Sequence, residues 1–278
     1  MIVALLGAES TGKSTLAAAL HRHLQAAFTA LPAPHAPPPI THVPEYLRDW
    51  CTQHGRTPRA DEQAHIAHTQ AQWLAGAAHP HSPRHWLIAD TTPLMTAVYS
   101  DHYFGDPSLY ALAQGFHAAP RLAEAGQALA PTQTPDTLAP HLPPLNLLMG
   151  LDLPWQADGS LRDGPATQAA IDTLLRQRMD AWQLPYQTVY GTHSARVAAA
   201  LQAIAGHLKR HAPADTWATA LQNAIEKEAN NAMNTGGKRQ KNRTYSSHCD
   251  CCDDPACERQ TFSRLVANRP AAPGSVRP

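Results

Sequence analysis

The sequence predicts an α/β protein, a three-layer sandwich in which a parallel five-stranded sheet lies between two layers of helices. Two observations predict it. Short apolar runs of strand length alternate with helical stretches of twelve or more residues, the order that a parallel sheet with crossover helices produces. The first apolar run also ends on a glycine, and a short loop joins it to an alanine-rich helix.

IVALLG (2–7) is the first strand candidate, buried and brief. Residues 13–31 read as a helix with Leu16, Ala19, Leu20 and Leu24 on one stripe. PAPHAPPP (32–39) is a surface loop, because proline lacks an amide donor and fixes its own φ. ITHV (40–43) is a weak second strand, and residues 60–78 are helical. HWLIAD (85–90) is the third strand, leading through TTP into a helix whose first turn suits Pro93. A helix over 108–130 and a loop over 131–140 follow, then a fourth strand, LNLLMGLD (145–152). A helix over 166–182, a fifth strand YQTVYG (186–191) and a helix over 193–210 complete the body. HAPAD (211–215) breaks the pattern, residues 216–230 allow one more helix, and NTGGKRQKNR (234–243) reads as a basic flexible linker. The expected division is an α/β domain over 1–210, a helix and linker over 211–244, and a Cys-rich segment with a disordered tail over 245–278.

A chain of 278 residues has room for one sizeable core and an appendage. Lys+Arg and Asp+Glu are both 22, so net charge provides no global attraction to nucleic acid or to an anionic membrane. No run approaches the length of a membrane-spanning helix, and the N-terminus passes straight into a strand, so no signal peptide is expected. Cys249, Cys251, Cys252 and Cys257 crowd together near the C-terminus, far from Cys51. That is not a disulfide framework, and a reducing, cytoplasmic compartment is the expectation.

The loop after the first strand carries the clearest chemistry. Gly7-Ala8-Glu9-Ser10-Thr11-Gly12-Lys13-Ser14 fits G-x-x-x-x-G-K-[ST] at every fixed position, between a strand and a helix. Gly7 and Gly12 permit torsions and close approach that a side chain forbids. Successive N–H groups can then form a concave anion site, with the partial positive charge of the helix N-terminus behind it. Lys13 reaches the β- and γ-phosphates, and the Ser14 hydroxyl is placed to ligate Mg²⁺. This is a P-loop for a nucleoside triphosphate.

Three later stretches bear on what faces the phosphates. PEYLRDW (44–50) follows the second strand, at the end of the sheet where open α/β folds bind ligands. There Glu45 can accept a proton or hold a sugar and Arg48 can neutralise phosphate charge; the alternative is a solvated helix start. In LIADTTPLMT (87–96), Asp90 ends an apolar strand. It suits an Mg²⁺ shell or a general base, the alternative being a helix-capping role for Asp90 or Thr92. LDLPWQADGSLRDG (151–164) sets Arg162 between glycines, the composition of a lid that delivers an arginine to phosphates. In it Trp155 can stack on a base or pyridine ring and Asp158 is a further candidate for substrate binding; the alternative is an ordinary exposed loop with a turn at Asp158-Gly159.

GAESTGKSTL, PEYLRD, ADTTPLMT and DLPWQADGSLRDG, in this order, resemble the NadR-type ribosylnicotinamide kinase domain, a P-loop ATPase/kinase family related to nucleoside and nucleotide kinases. The resemblance spans residues 1–205, and Glu9 with Ser10 and Thr11 in the loop belongs to it. It implies transfer of the ATP γ-phosphate to the 5′-hydroxyl of nicotinamide riboside, a nucleoside-like acceptor. By the resemblance Gly12, Lys13, Ser14 and Thr15 bind ATP·Mg²⁺, Asp90 or Glu45 deprotonates the acceptor, and Arg162 closes over the phosphates. No nucleotidyltransferase or DNA-binding segment precedes the first strand here, so a bifunctional or repressor role is not expected. The lid has one extra residue, the loop at 32–39 is an apparent insertion, and the tail is foreign to that family.

In the tail, His248, Cys249, Cys252 and Cys257 have spacings compatible with one tetrahedral Zn²⁺, Cys251 being the other candidate for the fourth ligand. A metal-free peptide and redox or iron–sulfur chemistry stay open beside zinc. A second functional class also remains: a regulatory ATP-binding module whose tail engages a protein or nucleic-acid partner.

Overall fold

A computed structural model of the chain describes residues 1–31, 38–77, 85–117, 142–155, 164–213 and 216–236. One sheet of five strands forms the centre: β1 (Ile2–Leu6), β2 (Ile40–Val43), β3 (Trp86–Ala89), β4 (Leu145–Met149) and β5 (Tyr186–Val189). Their order is β2-β3-β1-β4-β5, and every pairing is parallel. These are the five strands expected; β2 spans the residues expected, and the other four end earlier than expected at the C-terminal end, where the loops that face a ligand begin.

The helices are α1 (Lys13–Thr29), α2 (Tyr46–His54), α3 (Ala60–Ala77), α4 (Pro93–Phe104), α5 (residues 110–117), α6 (Pro165–Ala181), α7 (His193–His211) and α8 (Thr216–Gly236). The helix expected over 108–130 is described only through 117, and the expected loop over 131–140 and most of the proline-rich loop lie outside the described residues. α2 resolves the PEYLRDW alternatives in part: a helix does start there, on a buried Glu45.

The strands are apolar on both faces, so the sheet is sandwiched. Val3, Leu5, Ile88, Leu147 and Met149 pack with Leu20 of α1 and Leu201 and Ile204 of α7. Leu6 and Leu148 turn the other way, onto Leu94 and Val98 of α4 and Ile171 and Leu175 of α6. Each such side chain contributes about 1.5–3 kcal/mol on burial. Phe28 meets Trp86 edge-on, ring centroids 5.1 Å apart.

One compact unit, Met1–Arg239, takes in every described residue; residues 240–278 lie outside them. That unit runs past Arg210, where the HAPAD break suggests an end. Ala218, Leu221, Ile225, Ala229 and Ala232 form a continuous stripe on α8 and join the core that α1 and α7 share. His23 of α1 and Glu228 of α8, 3.0 Å apart, add a polar link.

This topology positions the site. β1 leads into α1 on one face, whereas its neighbours β3 and β4 lead into α4 and α6 on the other. Connections that diverge to opposite faces leave a crevice at the C-terminal ends of the strands, the usual ligand position in open α/β sheets.

Candidate functional site

The loop between β1 and α1 is built for an anion. Gly7 has φ +150°, and a Cβ there would come within 2.9 Å of Met149 Cβ. Ser10 (φ 58°) and Gly12 (φ 78°) are left-handed, which folds the loop back on itself. Gly12 is the N-cap of α1 and has no side chain with which to cap the first donors of the helix. Lys13 is buried and lies back along the loop, its Nζ donating to the carbonyls of Gly7 (2.7 Å) and Ala8 (3.0 Å). The Thr11 hydroxyl also donates to Ala8 O, at 2.7 Å. Ser14 sits in the first turn of α1 and Thr15 on its exposed side.

Beside this loop stands Asp90. Ala4 of β1 is level with Ala89 of β3, so the next residue, Asp90, emerges next to the P-loop. It is only 2% exposed. Thr92, rather than Asp90, caps α4, its Oγ1 accepting from Leu94 N at 3.3 Å and sharing a 3.1 Å hydrogen bond with His117 Nε2. Burial, and next the negative charge of Glu45, push the Asp90 carboxyl up to about 7; the Ser14 hydroxyl, Lys13 and Arg48 pull it part of the way back. Glu45 holds the N-cap position of α2 without capping it, and its Oε2 lies 3.7 Å from Arg48 Nη2. Ser14, Lys13, Glu45 and Arg48, drawn from two helices, are therefore all near enough to act on Asp90.

A family model described as an AAA domain matches residues 2–196. The chain belongs to that family. No curated protein matches it. The match runs from β1 to the first turn of α7 and takes in every loop described above.

An AAA domain with a P-loop binds a nucleotide, and the residues present fit ATP with Mg²⁺. Ser14 Oγ and Asp90 Oδ1 are both buried, near enough for the hydroxyl to favour the carboxylate but without a hydrogen bond of normal geometry. A hydroxyl and a carboxylate oxygen are hard donors, and Mg²⁺ typically takes one or two such protein ligands together with substrate phosphates. Among the described residues no group of three or more His, Cys, Asp or Glu could hold a metal ion by itself, and no helix is long and apolar enough to cross a membrane.

Two buried side chains that sequence reasoning passes over hold the AAA domain's loop from outside. Gln168 of α6 donates from Nε2 to Glu9 O at 2.8 Å. Arg196 of α7 donates from Nη1 to Thr11 O, from Nη2 to the Asp152 carboxylate, and from Nε to Gly191 O at 2.8 Å. Asp152 in turn accepts from Gly191 N. A sequence signal for both exists: each is a polar residue at the head of a helix's apolar stripe, Gln168 before Ile171 and Leu175, Arg196 before Ala200 and Ile204. Leu153, past the end of β4, reaches over Gly12; a Cβ on that glycine would stand 3.1 Å from Leu153 Cδ1. Trp155 is half-buried, and its indole Nε1 is buried without a partner. Asp158 and Arg162 of the expected lid, and His248, Cys249, Cys252 and Cys257 of the expected zinc set, lie outside the described residues.

Proposed function

We propose that this AAA domain is an ATP-dependent small-molecule kinase that transfers the γ-phosphoryl group to a hydroxyl of a nucleoside-like acceptor. The four-motif resemblance favours nicotinamide riboside, with nicotinamide mononucleotide as product. The observation that carries the reading is Asp90: a buried carboxyl within reach of Lys13, Ser14, Glu45 and Arg48, pushed up to about 7 by burial and next by the Glu45 charge. A general base works best when its pKa lies near the operating pH. A nucleotide switch has no need of two carboxylates and an arginine converging beside its phosphates.

The chain's residues then have these tasks. Lys13 leaves the carbonyls of Gly7 and Ala8 for the phosphate oxygens and offsets charge on the transferring group. Ser14 and Asp90 would hold Mg²⁺, which would supply further neutralisation of phosphate charge. One of the two carboxylates, Asp90 or Glu45, takes the proton of the acceptor hydroxyl as its oxygen bonds to phosphorus and ADP departs. The other orients the acceptor, and Arg48 neutralises phosphate charge at the rim.

The regulatory reading has the family's general AAA description in its favour and requires hydrolysis without an acceptor. A screen of nucleosides and vitamin alcohols with Mg·ATP, read by mass spectrometry of the phosphorylated product, tests the kinase assignment. A product 80 Da heavier than one of the acceptors supports it, and ATP turnover with no phosphorylated acceptor opposes it.

A further inference from the structure

The P-loop carbonyls are claimed from two sides. Within the loop, Lys13 Nζ and Thr11 Oγ1 take those of Gly7 and Ala8. From the flanking helices, Gln168 takes the carbonyl of Glu9 and Arg196 takes that of Thr11. Gln168 is 6% and Arg196 4% exposed, so neither donor is placed there for solvent. A trans peptide is planar, and its C=O points opposite to the N–H of the following residue. Holding Glu9 C=O toward α6 therefore turns Ser10 N–H to the other side of the loop. Holding Thr11 C=O toward α7 does the same for Gly12 N–H.

We propose that Gln168 and Arg196 are positioning residues that pre-aim the Ser10 and Gly12 N–H groups at the nucleotide's phosphates. The two peptides they grip are those that enter the loop's left-handed residues, Ser10 at φ 58° and Gly12 at φ 78°. A serine in that region is strained, and an outside hydrogen bond to its leading peptide helps to hold it. Arg196 is itself immobilised: its fork also bonds Asp152 and Gly191 O. Asp152 offsets its charge, so its effect on the loop is mainly one of orientation. A lysine has a single ammonium and cannot serve those three acceptors in one plane. Donors fixed before the ligand arrives need no reorganisation when it binds, which is where their value lies. The proposal concerns the nucleotide alone, so it stands or falls separately from the choice of acceptor.

The test is titration of Mg·ADP into the full chain by calorimetry, for wild type, Gln168→Leu and Arg196→Lys, with the loop amides followed by ¹⁵N NMR. Losing one oriented donor should weaken Mg·ADP by about tenfold in each variant. The signature is residue-specific. Gln168→Leu should diminish the ADP-induced shift of the Ser10 amide proton and spare Gly12, and Arg196→Lys should do the reverse. If Arg196→Lys does not fold, Gln168→Leu, near the start of α6, carries the test alone. Binding within twofold of wild type in a cooperatively melting Gln168→Leu protein, with the Ser10 shift intact, overturns the proposal. Equal loss of both shifts in that variant overturns it too, since that marks general loosening of the loop.

Discussion

Asp90 pays for its position. A carboxyl at 2% exposure beside Glu45 keeps its proton up to about pH 7, whereas in the unfolded chain it loses it near pH 3.8. Between those values the native state binds the extra proton, so stability falls as pH rises through that window; the full cost above pH 7 is roughly 4 kcal/mol. Asp90→Asn should therefore raise the melting temperature of the nucleotide-free protein at pH 8, with the gain shrinking toward pH 4, while turnover is lost. Melting curves of both proteins across that range check it; an unchanged or lower melting temperature at pH 8 contradicts the assigned environment. At this scale the sequence is uneven. G-x-x-x-x-G-K-[ST] announces the loop, and a strand ending in aspartate announces Asp90. Gln168 and Arg196 meet their loop partners across 159 and 185 residues, contacts that exist only once the chain is folded.

Among the elements, α7 joins the loop to the far end of the sheet. Arg196 grips the P-loop from its first turn, and three turns on His207 Nε2 donates to Pro143 O at 2.8 Å, just before β4. Burial, and next the charge of His211, lower the His207 pKa to about 4. The native state holds the ring neutral while the unfolded chain protonates it below about pH 6.5. The stability that goes with the neutral ring is thus fully present above pH 6.5 and is lost as pH falls toward 4, although the Nε2–H bond to Pro143 survives protonation. His207→Gln keeps a donor without a titrating ring, so its melting temperature should fall less steeply than that of wild type between pH 6.5 and 4.5. Parallel slopes would mean that other groups set the acid limit. The period of α7 is plain in the sequence, but a histidine bound to a loop carbonyl looks there like any of the other sixteen of 17.

For the whole molecule, the alternation of strands and helices was legible, while the strand order was not. Sequence order places β2 after β1, yet the sheet seats β3 and β4 against β1. Only that order sets Asp90 and the Leu151–Trp155 segment beside the P-loop. α8 was legible as a helix, but the proline and alanine break before it hid that Leu221 and Ile225 belong to the shared core. Truncation after Arg239 should leave nucleotide binding and phosphoryl transfer close to wild type, because the compact unit ends there. Truncation after Ala212 removes both buried side chains, each worth about 2–5 kcal/mol, and should yield insoluble or non-cooperative protein. Equal solubility and melting of the two truncations would refute the role given to α8.

In this reading the P-loop serves transfer to a bound acceptor. It is tested most directly by ADP release from Mg·ATP with and without nicotinamide riboside, in wild type, Lys13→Ala and Asp90→Asn. Transfer to a bound acceptor predicts ADP formation that rises at least tenfold with the acceptor, matches it in phosphorylated product, and falls by roughly a hundredfold or more in both variants. Hydrolysis at the same rate in water alone, for this acceptor and across other nucleosides, would contradict it.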